Sequence, residues 1–227
     1  MKLLALDTAT EVCTVALSLD GEILERSEPG GQHAERILPM VDALLAEAGL
    51  VLTQLDALAF GRGPGSFTGL RIGAGVVQGL AFGADLPVVP VSSLAALAQG
   101  QGSARVLAAF DARMQQVYWG AYVRNDQGIV EAQGVEGVFA PQGVPLPAGE
   151  NWHGAGPGWD AYHADLQQHL GKHLAGWQQN CLLQARHVAA LGVAGYRSGA
   201  AIAAEAALPT YVRDDVATKK KITSIIP

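Results

Sequence analysis

The 227-residue chain is 49% apolar and 16% charged, a composition that supports one large or two small packed domains and excludes intrinsic disorder. Its formal charge of −6 excludes bulk electrostatic attraction to nucleic acid, so a nucleic-acid role would draw most phosphate contacts from a partner. Cys13 and Cys181 make no disulfide framework, and no apolar run reaches the ~20 residues of a membrane-spanning helix.

Asp7 and Glu11 interrupt the opening apolar run, so no secretory leader pattern is read and a cytoplasmic location is expected. Residues 2–6 form a continuous apolar run suited to a central strand covered on both faces. Residues 12–19, largely apolar and β-branched, predict a second strand, which Asp20-Gly21 turns into a third over residues 22–26. Helical spacing follows at Ile37, Val41, Leu44 and Ala48, with Gly49 as a stop, and Pro39 marks a start or bend. A strand over 57–61, a glycine-rich loop, a helix over 68–82 and a short strand over 88–91 come next. Ser92 or Ser93 then caps a further helix. Strands alternating with helices predict a mixed sheet under helical cover.

The chain then repeats itself. RVLAAFDARMQQVYWGAYVRNDQGIV follows the order of KLLALDTATEVCTVALSLDGEI: an apolar strand ending in Asp (Asp7, Asp111), a short turn, an alternating strand and a polar Asp/Gly turn. This agreement predicts a duplicated domain, with units over 1–102 and 103–227 and a boundary in the polar stretch 99–103. Whether the last helix stays with the second unit or packs back on the first is undecided by the sequence.

Paired strand–Asp-turn–strand hairpins resemble the actin/Hsp70/sugar-kinase (ASKHA) superfamily, in which they face a cleft and hold nucleotide phosphates. The resemblance implies a fold of two tandem ASKHA-like α/β domains, each a mixed sheet covered by helices. It makes Asp7, Thr8, Thr10 and Asp111 candidate nucleotide contacts. Thr8 stands where kinase members carry glycine, and the second turn, DARMQQ, has no glycine at all, which argues against ordinary ATP hydrolysis. Gly154 and Gly156 in NWHGAGPGWDAY resemble the adenosine-binding turns of the superfamily, and a plain loop is the competing reading. The span 141–157 around them reads as a flexible connection with room for one short strand.

GRGPGSFTGLRIG is not a phosphate loop of the Gly-Lys-Ser/Thr kind. Ser66 or Thr68 can cap the helix after it, and glycines thin that helix on two faces, one at Gly69 and Gly73, the other at Gly75, Gly79 and Gly83. Each helical glycine costs roughly 0.5–1 kcal/mol against alanine, so close packing must offset it. His169 and His173 have the i,i+4 spacing of a metal pair but no third ligand, and read as part of a solvated helix. His33 reads as a residue bordering its helix, and Lys219 to Lys221 as a solvated run able to touch phosphate or an acidic surface.

DTAT, HAERILPMVDALL, GRGPGSFTGLRIG, PVVPVSSLAALA and FDARMQQVYWGAY, in this order, resemble the TsaB (YeaZ) family, with the likeness continuing to PTYVR. The resemblance implies a non-catalytic subunit for the transfer of a threonylcarbamoyl group to N6 of adenosine 37 in tRNAs that read codons beginning with A. Its implied partners are the paralogous catalytic subunit TsaD and the ATPase TsaE, with tRNA met indirectly through the complex, no membrane, and a homodimer when TsaD is absent. TsaD carries two metal-binding histidines four apart on a helix; aligned here are Ser93 and Leu97, so no catalytic residue and no metal are expected. No cofactor is required, and ATP or ADP would be bound without turnover. The implied helical interface draws on Ile37, Val41, Leu44 and Leu45 of one helix and Gly69, Ile72, Gly73, Val76 and Leu80 of the other. The alternatives are an ASKHA-type small-molecule kinase or ATPase using Asp7 and Asp111 and, more remotely, an M22-type metallopeptidase.

Overall fold

The computed structural model describes residues 1–213. The strand β1 (Lys2–Asp7) is sandwiched between β2 (Val12–Leu19), antiparallel, and β4 (Ala57–Gly63), parallel. With β3 (Glu22–Pro29) and β5 (Val88–Ser92) this gives a five-stranded sheet in the order β3-β2-β1-β4-β5. The second sheet contains β6 (Arg105–Arg113), β7 (Gln116–Arg124), β8 (Val130–Ala132), β10 (Trp152–Ala155) and β11 (Leu174–Gln178), in the order β11-β10-β6-β7-β8, with β9 (Gly137–Phe139) also on β7. Read from its other edge this is the arrangement of the first sheet: an antiparallel three-strand meander joined to two parallel strands.

The repeat extends to a bond. Asp7 Oδ1 accepts the Ala9 N–H at 2.7 Å, and Asp111 Oδ1 accepts the Arg113 N–H at 2.8 Å. In both copies the carboxylate closes the turn by pairing with the backbone two residues on.

Two helices, α1 (His33–Glu47) and α2 (Phe67–Ala84), cover one face of the first sheet. The helix α4 (Pro157–Leu170) covers the outer face of the second, where Trp119, Trp152 and Trp159 are buried. Between the sheets lie α3 (Ser93–Gln99) and α5 (Ala185–Arg197), and one core of small aliphatic residues runs through both units. The chain thus returns to its first unit at the end. The backbone N–H of Ala185 donates to Thr14 Oγ1 at 3.0 Å, Arg186 Nε donates to Glu25 Oε2 at 2.6 Å, and a Cβ on Gly192 would lie 2.6 Å from Ala59 Cβ. No helix among the described residues is long and apolar enough to cross a membrane.

Several sequence expectations need correcting. Pro39 does not start α1, which begins six residues earlier; Pro39 and Glu35 both lie on the exposed side, where water can take the carbonyl that loses its partner. The one short strand for which the span 141–157 had room is present as β10, which lies inside the second sheet between β6 and β11. His169 and His173 do not share a helix. Gly171, at φ +51°, ends α4 between them, and each ring bonds a separate carbonyl, His169 to Val144 at 2.9 Å and His173 to Gly149 at 2.7 Å. The Lys219 to Lys221 run lies outside the described residues.

Candidate functional site

The first hairpin turn is sealed by its own chain. Asp7, at the end of β1, has no exposed surface: Oδ1 takes the Ala9 N–H and Oδ2 takes the Ser93 hydroxyl at 2.8 Å. Burial pushes its carboxyl up to about 6, against the Ala9 and Ser93 donors that favour the charged form. Gly61 of β4 presses on it so closely that a Cβ there would sit 1.6 Å from Oδ2. Thr8 is also buried, its hydroxyl donating to the Gly69 carbonyl at 2.7 Å. Thr10 is partly exposed, and its carbonyl bonds His33 Nε2 at 2.9 Å, so His33 ties the hairpin to the start of α1. Of the candidate nucleotide contacts at this turn, Asp7 and Thr8 therefore face protein.

The glycine-rich loop is what seals it. Ser66 caps α2 by accepting the Gly69 N–H at 3.3 Å, while its own N–H donates to the Ala9 carbonyl at 2.7 Å. Gly65, Gly69 and Gly73 form one row: a Cβ on each would meet the Ala9 carbonyl at 2.4 Å, the Thr8 carbonyl at 2.0 Å or Thr8 Oγ1 at 2.5 Å. These glycines let α2 ride directly on the turn. Gly75, Gly79 and Gly83 form a second row, where an added Cβ would meet nothing within 4 Å among the described residues, flanked by Phe82, which is 85% exposed.

Ser93 and Leu97, aligned with the paralogue's metal ligands, have other occupations. Ser93 serves Asp7, and Leu97 packs in the inter-sheet core, where its Cδ2 would lie 2.5 Å from a Cβ on Gly156. No group of three or more His, Cys, Asp or Glu side chains converges on a metal-sized space among the described residues.

The second hairpin is more open. The Asp111 side chain is 23% exposed and paired with Arg113 Nη1 at 3.1 Å, and Arg113 Nη2 reaches toward Glu11 of the first hairpin at 4.0 Å, so the two turns face each other. The Gly154 to Gly158 stretch is filled from within. A Cβ on Gly154 would lie 2.2 Å from the Trp159 indole, and Gly156, at φ +107°, backs on the Ala109 carbonyl. The side of this turn that a Cβ would occupy is thus taken by Trp159 at Gly154 and by Leu97 and the Ala109 carbonyl at Gly156.

The expected interface residues divide. Ile37, Val41, Leu44 and Leu45 are at most 7% exposed and face their own sheet, and Gly69 and Gly73 face the Asp7 turn. Ile72, Val76 and Leu80 are half-buried. The exposed residues lie on the opposite side of each helix: Ala34, Leu38, Asp42 and Ala46 on α1, and Phe67, Arg71 and the Gly75–Gly79–Gly83 row on α2. Sequence spacing locates both glycine rows but cannot tell which faces inward.

The segment 208–213 crosses the N-terminal end of α2. Leu208, Pro209 and Tyr211 form one wall of a groove of about 360 Å3 whose other wall is Arg71, Gly75 and Gln78. A larger groove of about 840 Å3 opens at the Asp20-Gly21 end of the first hairpin, between Ile23, Ile129 and Val193.

The duplicated sheet, the facing Asp hairpins and the helices between them define a two-domain α/β protein of the actin/Hsp70/sugar-kinase class. Residues 27–221 match the family model described as TsaD: tRNA N6-adenosine threonylcarbamoyltransferase. The tRNA threonylcarbamoyladenosine biosynthesis protein TsaB of Escherichia coli (strain K12) is 44% identical over 97% of this chain and 98% of its own length. Its namesake from Haemophilus influenzae is 44% identical over 97% of both. Among solved structures, YeaZ from Pseudomonas aeruginosa superposes with a TM-score of 0.86 at 46% identity, covering 92% of this chain and 99% of that one. The chain belongs to the TsaB family.

Proposed function

We propose that this chain is a non-catalytic subunit in tRNA threonylcarbamoyladenosine formation, docking on a TsaD-type paralogue through the outward faces of α1 and α2. The observation that carries this reading is the contrast between the two faces of α2. The inner face closes the Asp7 turn, where a working ASKHA enzyme would need an open carboxylate. The outer face carries three helix-weakening glycines at which an added Cβ would meet nothing within 4 Å among the described residues, beside an exposed Phe82. A glycine row of this kind lets a second helix approach closely, which is the compensation its propensity cost calls for.

Since the paralogue shares the fold, the same surface supports a homodimer when the partner is absent. The ATPase TsaE and tRNA join through the complex, in the cytoplasm. The reading requires no metal and no cofactor, and ATP or ADP held without turnover would leave Asp7 untouched, because that carboxylate is closed off by Gly61 and Ser93.

The test is light-scattering chromatography of the chain alone and with its organism's TsaD paralogue. A dimer alone and a stable hetero-complex are expected, both lost in Gly79→Arg with the melting temperature unchanged, since Gly79 has open space around it. Undiminished complex formation by Gly79→Arg would overturn the placement. Saturable ATP turnover by the chain alone, abolished in Asp7→Ala, would favour the kinase reading.

A further inference from the structure

The segment 208–213 touches both domains within six residues. On the first domain, the Thr210 N–H donates to the Arg62 carbonyl at 2.8 Å, and Arg62 Nη1 donates back to Thr210 Oγ1 at 2.7 Å. Gly63 lies beneath: a Cβ there would stand 3.0 Å from the Thr210 carbonyl oxygen, so the strap lies directly on the β4–α2 loop. The Tyr211 ring packs on Phe67 with centroids 5.5 Å apart, and its hydroxyl accepts from Arg71 Nε at 3.1 Å. On the second domain, Arg213 Nη2 donates to the Ala112 carbonyl at 3.1 Å and to Gln116 Oε1 at 2.6 Å, with Nη1 3.6 Å from Met114 Sδ.

The grip falls on the part of the second hairpin that most needs holding. Arg113 pairs with Gln116, leaving Met114 and Gln115 as a two-residue turn in which Arg113, Met114 and Gln115 all have positive φ, 61°, 53° and 57°. Glycine or asparagine normally fills such turns, and these side chains adopt that conformation only when their surroundings impose it. The planar guanidinium of Arg213 reaches both strands beside the turn at once, which a lysine ammonium would match poorly.

We propose that residues 208–213 form an inter-domain latch, which pins the second Asp hairpin to the glycine-rich loop of the first domain and so sets the width of the cleft between the two hairpins. The other ties between the domains lie deeper, in the packing of α3 and α5 between the sheets and in the contacts of Arg124 with the carbonyls of Gln99 and Gln101. Those ties run along the interface between the sheets as far as the Ala185–Thr14 bond beside Asp7, and the latch spans the two turns themselves. Near the turns themselves the remaining charged link among the described residues is Glu11–Arg113, both highly exposed and 4.0 Å apart, too weak to hold the cleft.

The test uses the full chain, at a concentration too low for self-association, with spin labels on Thr53→Cys ahead of β4 and Gln167→Cys of α4, exposed positions on opposite domains and off the outward faces of α1 and α2; native Cys13 and Cys181 are buried. Double electron–electron resonance on the parent is expected to give one narrow distance distribution. Arg213→Gln and, independently, Arg62→Gln are expected to broaden it toward longer distances. Amides around Arg113 to Gln116 should exchange with deuterium about tenfold faster, while those of β1 and β4 stay unchanged. A distribution and exchange pattern identical to the parent in both variants would overturn the latch. Faster exchange throughout both sheets would also overturn it, showing that the segment supports the fold generally rather than the cleft. Neither readout requires a partner, so the latch can fail or stand separately from the subunit reading.

Discussion

Ser93 Oγ donates to Asp7 Oδ2 at 2.8 Å in the interior, joining the first residue of α3 to the last of β1. A carboxylate that could face a cleft is thereby turned into a structural post beneath α2, and the serine that holds it stands where the catalytic paralogue is expected to carry a metal ligand.

This pair makes stability depend on pH. Burial raises the folded-state value of Asp7 from 3.8 to about 6, so the folded chain holds the proton more tightly than the unfolded chain. The neutral form favours folding: the benefit is full below about pH 4 and is lost as pH rises through about 6, a difference on the order of 3 kcal/mol. Urea unfolding at pH 4.5, 6 and 8 should show the parent losing stability relative to Asp7→Asn as pH rises. A parent and variant that differ equally at all three values would refute this assignment.

The two glycine rows of α2 should respond oppositely to alanine. Gly69→Ala places a methyl 2.0 Å from the Thr8 carbonyl, a backbone atom that cannot swing aside, and should cost several kcal/mol. Gly75→Ala and Gly79→Ala meet open space and gain helix propensity, so in the monomer each should raise stability by about 0.5–1 kcal/mol. Thermal melts at a concentration too low for self-association measure both.

Gly154→Ala should destabilise the second domain. Its Cβ would lie 2.2 Å from the indole of Trp159, whose Nε1 donates to the Leu107 carbonyl at 2.8 Å, so moving the ring also strands a buried donor. A loss of about 2–4 kcal/mol is expected, with a change in tryptophan emission, and normal stability would show that the ring can shift freely.

Both cysteines should be inert in the folded chain. Burial pushes the Cys13 thiol up to about 11, with the Asp7 charge adding to the effect, and burial raises Cys181 as well. At pH 8 neither should react with a thiol reagent until denaturant is added. Rapid labelling of one thiol under native conditions would contradict the packing around it.

Much of the framework was legible in the chain itself, because it rests on short-range rules. The alternation and apolar runs of β1 and β2, the Asp20-Gly21 turn, the serine cap of α2 and the doubled strand–Asp–turn pattern are each written in consecutive residues. What tertiary structure alone decided is direction and partnership. Both glycine rows of α2 have the same spacing, and only the position of the Thr8–Ala9 turn makes one of them inward. The apolar residues of α1 read equally as core or interface, and the sheet beneath claims them. Four-residue β10 carries too little local signal to announce a central strand, since its place comes from β6 and β11 on either side. Arg213 bonds groups 97 and 101 positions away in the chain, and contacts at that separation exist only once both domains have folded.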